Sequence, residues 1–214
     1  MQLMATPSHM AALAGQTVQS FGYDKSNTNY TFNSLGYRSD VEFTATEPIV
    51  IVGNSLSFGL GMDLEYTYGR VLQERIHHPV YNMSWGAYAH TNYELLTFLK
   101  TLLPVMKPKM VIFQINNLNR YRHQGVISFD NPPELVLSEY QRFYDEFARL
   151  TKAHNIYPIH WDEQSFGVDF SWCRIYNKYQ VDSNNMLPQL FGPKTHRLIA
   201  EKIIQDIVWA KNTA

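Results

Sequence analysis

Thiols are nearly absent from the sequence: Cys173 is the one cysteine among 214 residues. That excludes an intramolecular disulfide and a zinc site built from several thiolates. Net charge is nearly absent too, with 18 Lys and Arg against 19 Asp and Glu for a formal charge of −1. A nucleic-acid scaffold or a polybasic membrane binder needs a strong positive field, so neither partner is expected. No stretch approaches the roughly 18 apolar residues of a membrane span. The opening MQLMATPSHMAALAG has an apolar segment but no Lys or Arg before Lys25, so it lacks the positive end of a secretory signal. A cytoplasmic protein is the expectation. Histidines and carboxylates never fall in a spacing such as H-E-x-x-H, so neither a metal nor a cofactor is expected.

What is present suits one folded core. Apolar residues make up 45% and aromatic residues 14%, led by 14 Tyr, a normal globular share at a length that can bury a core. Residues 1–46 are rich in Ser, Thr, Asn and Gly and show no sustained periodicity. They read as an irregular N-terminal arm, with short strand pieces around Tyr30–Phe32 and Val41–Phe43. Residues 47–214 read as the folded domain. PIVIVG (48–53), PVYNMSW (79–85), KMVIFQI (109–115) and IYPIHW (156–161) are short apolar runs without alternation, the pattern of strands buried on both faces. Between them lie helical patterns at 67–76, 91–103, 133–154 and 196–210, with Pro104 expected to end the second and Val136, Tyr140, Phe143, Phe147 and Leu150 expected as the inner stripe of the third. Strand and helix alternate, which predicts a parallel sheet with helices on both faces. Ligands in such sheets sit beyond the carboxyl ends of the strands.

The residues at those ends are polar and glycine-rich. GNSLSFGLGM (53–62) follows the first strand. It is no phosphate loop of the G-x-x-x-x-G-K-[ST] type, no G-x-G-x-x-G fingerprint and no G-x-S-x-G elbow. Ser55 beside backbone N–H groups can be a nucleophile, or a turn serine starting a helix. Gly86, after the second strand, can offer its N–H to an oxyanion or simply form a turn. Asn116 and Asn117 follow the third strand, where a side-chain amide can complete an oxyanion hole or a turn. Arg120, Arg122 and His123 come next, as a solvated positive face or an anion contact.

Taken together, Gly53-Asn54-Ser55, Gly86 and Asn116-Asn117 resemble blocks I to III of the SGNH (GDSL) hydrolases. NSLGYR (33–38) resembles a segment that precedes block I in one branch of that family, and GPKTHRLIAEKI (192–203) resembles the tail of its last block. The resemblance runs through roughly residues 30–205. It implies a flavodoxin-like three-layer α/β/α sandwich and a serine esterase acting on acyl esters, O-acetylated carbohydrate among them. In that reading Ser55 is the nucleophile. The N–H groups of Ser55 and Gly86 and the side-chain amide of Asn116 form the oxyanion hole, and Asn54, Asn117 and Trp85 line the substrate.

The chain departs from the family at informative places. Asn54 and Asn117 stand where the family has Asp. Leu187 and Leu190 stand where its last block has the catalytic Asp and His. Two other histidines then compete as the base: His196, with Asp182 upstream as its partner, and His160 beside Asp162 at the end of the fourth strand. His196 at the start of the closing helix also has a purely structural reading. A catalytically impaired member that binds through a surface rich in Trp85, Tyr88, Tyr93, Tyr121 and Trp172 is the alternative to an active hydrolase. A flavodoxin-like nucleotide binder is a third reading, and it leaves the NSLGYR match unexplained.

Overall fold

The computed structural model describes residues 7–21, 27–86, 91–116, 121–123, 126–128, 134–160, 174–175, 182 and 191–212. Its centre is a parallel sheet of five strands: β3 (Ile49–Val52), β4 (Val80–Asn82), β5 (Met110–Ile115), β8 (Ile156–His160) and β9 (Arg174–Ile175), in the order β4-β3-β5-β8-β9. Counted within this sheet the order is 2-1-3-4-5, the flavodoxin-like arrangement. Two small antiparallel pairs stand apart from it: β1 (Thr17–Phe21) with β2 (Asn27–Thr31), and β6 (Tyr121–His123) with β7 (Val126–Ser128).

Side-chain alternation along each strand builds the outer layers. Val50, Val52, Val111, Phe113 and Ile115 pack with α4 (Asn92–Met106) and α5 (Glu134–Ala153) on one face. Ile49, Ile51, Val80 and Ile112 pack with α3 (Tyr68–Ile76) and α6 (Pro193–Asn212) on the other. The architecture is thus the α/β/α sandwich expected from the sequence. The α5 stripe expected from its spacing faces inward at Tyr140, Phe143 and Phe147, all buried. Truncating one of these to Ala would cost about 3–5 kcal/mol. Pro104 does not end α4: the helix runs to Met106 and closes on Lys107 in the left-handed conformation, φ 43°. Proline removes one N–H and crowds the preceding turn, and one further turn here still finds its bond, Lys107 N–H to Leu103 O at 3.1 Å. Among the described residues no helix is long and apolar enough to cross a membrane.

The segment before residue 47 differs most from expectation. In place of an irregular arm it forms α1 (Pro7–Leu13) and the β1–β2 hairpin, while residues 41–43 lie outside any strand. The reason is a small core of its own. Tyr30 and Phe32 are buried against Phe58 and Leu60, which follow the first sheet strand, and Phe43 stacks on Tyr81 with ring centres 4.2 Å apart. Arg38, 1% exposed, lies at the heart of this junction. Its Nη1 donates to Phe58 O at 3.0 Å and Gly59 O at 2.6 Å, and its Nη2 donates to Met62 O. The guanidinium also lies 4.4 Å above the Tyr30 ring, a cation–π contact strengthened by desolvation. Burial lowers its pKa to about 10, which leaves it charged at neutral pH.

Removing this cation strands the buried carbonyls of Phe58 and Met62, each worth about 1–3 kcal/mol when left unpaired, while Gly59 O keeps the Met62 N–H at 3.1 Å. Arg38→Met should therefore lower unfolding stability in urea by roughly 3 kcal/mol or more. Arg38→Lys should recover only part of the loss, because a point charge lacks the fork that reaches separate carbonyls. A loss under about 1 kcal/mol for Arg38→Met would remove Arg38 from its role as the clasp of this segment.

Candidate active site

The switch point of the sheet lies between β3 and β5, where the chain leaves one strand towards β4 and returns on the other side. Crevices at such points are where open parallel sheets bind ligands. Ser55 stands just beyond β3, at the start of the short helix α2 (Ser55–Phe58), and Asn116 directly follows β5. Gly86 follows β4. Ser55 and Asn116 are nearly covered, 5% and 3% exposed.

A buried amide holds the two main turns together. Gln114 Oε1 accepts from Asn54 N–H at 3.1 Å, Ser57 N–H at 3.2 Å and the Ser57 hydroxyl at 2.6 Å. On its other side, Gln114 Nε2 donates to Asn116 Oδ1 at 3.0 Å. Gly53 makes this approach possible: a Cβ there would lie 2.6 Å from both Gln114 Oε1 and Ser57 Oγ. Ser57 Oγ also accepts from the Tyr68 hydroxyl at 2.8 Å, and burial pushes the Tyr68 pKa up, which keeps it a neutral donor. Asn82 Nδ2 donates to Ser57 O at 2.6 Å.

The second and third turns are joined in the same way. Trp85 N–H donates to Gly53 O at 3.0 Å, which brings the residues before Gly86 against the Ser55 turn. Asn92, in the first turn of α4, accepts from Asn116 N–H at 2.6 Å and donates to Asn116 O at 3.1 Å. The start of α4 is itself held by a capping box between Thr91 and Glu94. The Trp85 ring packs on Phe98, 4.6 Å between centres and tilted by 41°, as part of the α4 layer.

The two histidines weighed as bases have different surroundings. His196 is 1% exposed on α6. Its Nδ1 accepts from Tyr68 N–H at 3.1 Å, and its ring stacks on Tyr68 at 5.8 Å. Burial, reinforced by the Arg38 charge and opposed by Asp182, lowers its pKa to about 4. A neutral imidazole that accepts at Nδ1 carries its proton on Nε2 and has no lone pair left for a serine proton. His196 in this form is an acceptor for the start of α3, with its Nδ1 lone pair already used. Asp182, expected as its partner, is committed elsewhere. Its carboxylate accepts from Lys194 N–H at 2.9 Å, Thr195 N–H at 2.8 Å and the Thr195 hydroxyl at 2.6 Å, so it caps α6. His160 is fully buried at the end of β8, in register with Ile115. Tyr88, Asn117, Arg120, Asp162, Trp172, Cys173, Leu187 and Leu190 lie outside the described residues. Among the described residues no group of three or more His, Cys, Asp or Glu is arranged to hold a metal ion.

Reading the sequence alone missed Gln114, Ser57, Tyr68, Asn82 and Asn92. Gln114 carried a signal: it is the one polar residue in the MVIFQI stretch (110–115), and a polar group in a strand buried on both faces needs partners.

No family model matches the sequence, and no curated protein does. Similar solved structures include a protein from Desulfitobacterium hafniense DCB-2 described as lipolytic and of the G-D-S-L family. It has a TM-score of 0.49 and 15% identity, and the match covers 73% of this chain and 97% of that one. An acetyl xylan esterase, AlAXEase, has a TM-score of 0.49 and 14% identity, with 74% of this chain and 98% of that one covered.

The His196 environment has a measurable consequence. An unfolded histidine titrates near its ordinary value of 6.5, the folded one at about 4. Between those values the unfolded chain binds the extra proton, so stability is full above pH 6.5 and falls as pH drops towards 4. The whole effect is about 3 kcal/mol. His196→Gln should flatten this acid limb when urea unfolding is followed from pH 8 to pH 4. An unchanged limb would mean that the ring is not held neutral in the fold.

Proposed function

We propose that the protein acts on acyl esters by serine-hydrolase chemistry, with O-acetyl groups on carbohydrate among its substrates. The observation that supports this most is the joining of the Ser55, Gly86 and Asn116 turns at the switch point of the sheet, through the Trp85–Gly53 and Gln114 hydrogen bonds. In this reading Ser55 Oγ attacks the ester carbonyl carbon and gives its proton to a base. The leaving alcohol takes a proton as it departs, and water then releases the acyl group from Ser55. The oxyanion accepts from Ser55 N–H, Gly86 N–H and Asn116 Nδ2, each donor contributing about 3–4 kcal/mol at the transition state. Since His196 carries its proton on the wrong nitrogen for this step, the base in this proposal is His160, at the carboxyl end of β8 on the same sheet edge.

A second reading is favoured by the commitment of both His196 and Asp182 to packing and capping. In it the chain keeps the crevice for binding an ester and does not turn it over.

Hydrolysis of p-nitrophenyl acetate from pH 5 to pH 9 separates the two. On the first reading Ser55→Ala and His160→Ala lose turnover, Asn116→Ala loses about 10²–10³-fold, and His196→Gln keeps it at a temperature where the fold holds. Equal trace rates in wild type and Ser55→Ala would refute hydrolysis and leave the binding reading.

A further inference from the structure

We infer that Gln114 is a positioning residue which dictates the orientation of the Asn116 side-chain amide, and so decides whether the site has its third oxyanion donor. This rests on the proposed role of Asn116 above. Hydrogen-bond polarity is fixed along the buried network from the Ser55 turn to Asn116. Amide oxygen and nitrogen are nearly alike in shape, so only their partners tell them apart. For Gln114 the partners leave no choice. The atom facing the Ser55 turn meets two backbone N–H groups, those of Asn54 and Ser57, and a backbone N–H can only donate. That atom must be the oxygen. The other atom is then Nε2, a donor, and the Asn116 atom it meets at 3.0 Å must be Oδ1. Nδ2 of Asn116 is therefore on the side turned away from Gln114.

Asn116 has little freedom to escape this. Its backbone N–H and C=O are both held by Asn92, which leaves rotation of the side-chain amide as the soft coordinate. A half-turn would set Nδ2 against Nε2, donor against donor, in a buried site where an unpaired polar group costs about 1–3 kcal/mol. The polarity fixed at the Ser55 turn is thus passed through Gln114 to Asn116. The same residue that fastens the nucleophile's turn also aims the amide, so the two halves of the site are set by one side chain.

Gln114→Glu tests the relay, because it keeps the acceptor and removes the donor. The introduced carboxylate still receives the Asn54 and Ser57 N–H groups and the Ser57 hydroxyl, contacts that hold it ionised at pH 8. Its second oxygen then attracts Nδ2 of Asn116 and repels Oδ1, so the amide should turn over. Two readouts are needed. The first is NMR of the Asn116 side-chain NH2 protons. Their contacts to the γ-protons at position 114 should be weak in wild type and strong in the variant. The second is the kcat and KM of p-nitrophenyl acetate hydrolysis at pH 8. The loss should fall on kcat, about 10²–10³-fold as for a missing oxyanion donor, with KM changed only a few-fold. A purely structural Gln114 would show no turned amide and no selective loss of kcat.

Gln114→Met, which removes both the acceptor and the donor, guards against a folding artefact. It should release the turn as well and lower thermal stability more than Gln114→Glu does. An unturned amide in a folded Gln114→Glu protein overturns the inference. If wild type shows no Ser55-dependent turnover, the function proposed above fails, while the NMR contacts still decide whether Gln114 sets the amide.

Discussion

The arrangement at the sheet edge depends on one buried carbonyl oxygen, that of the Gln114 side chain. Two backbone N–H groups and a hydroxyl converge on it from the turn after β3. Without it they would lose that acceptor in a buried turn, where Asn54 and Ser57 are 1% and 0% exposed. The requirement spreads outwards. Gly53 must stay without a side chain to admit the amide. Ser57, with its oxygen shared between Gln114 and Tyr68, ties the turn to α3. Through Tyr68 N–H the same chain of contacts reaches His196 on α6. A polar network of this kind is rigid when every member is paired, because each displacement exposes a donor or acceptor in a medium that cannot solvate it.

A second constraint acts from the other side of the turn. Arg38 reaches from the N-terminal segment to the carbonyls of Phe58, Gly59 and Met62. Those carbonyls lie at and just beyond the end of the short α2 helix, where the ladder of intrahelical bonds has run out. The turn that begins with Ser55 is thus gripped at its start by an amide from the sheet and at its end by a cation from outside it. Gly59, at φ 76°, sits between Thr67 and Arg38 with no room for a side chain. The segment before residue 47 belongs to the site's support, and the NSLGYR pattern has a physical meaning here: its last residue is the clasp.

The layers of the fold were legible in the sequence because burial imposes period. Short apolar runs marked β3, β4, β5 and β8, and the spacing of Tyr140, Phe143 and Phe147 marked the inner face of α5. In the N-terminal segment only the strand piece around Tyr30 was legible; the rest was not, since Tyr30, Phe32 and Arg38 gain their burial from residues some 20–30 positions away and leave no local periodicity. For the candidate site, glycines and small polar residues after strands pointed to Ser55, Gly86 and Asn116, which follow β3, β4 and β5. The residues that join them were missed for a common reason. Gln114, Asn82 and Asn92 act by hydrogen bonds across elements, and such pairings have no signature in sequence spacing. Pro104 misled for the opposite reason: a local rule was overridden by one further turn that kept its bond.

The histidines show how polarity decides what proximity cannot. His196 occupies the stretch that resembles the family's last block, and from the sequence Asp182 upstream made a plausible pair with it. In the fold each has a stronger claim on it than the other. Lys194 and Thr195 N–H groups at the start of α6 need an acceptor, and the Asp182 carboxylate supplies it. Tyr68 N–H at the start of α3 needs one too, and His196 Nδ1 supplies that. A helix start presents donors with no partner inside the helix, so it selects an imidazole in its neutral form and consumes the lone pair that catalysis would use. The pKa near 4 is the energetic face of the same arrangement: a proton added at Nδ1 would break the bond to Tyr68 and place a charge in a dry site near Arg38. Two helix starts, α3 and α6, therefore take up the groups that an Asp–His dyad would need. On the proposed reading, a proton leaving Ser55 would need a group other than His196 and Asp182 to receive it.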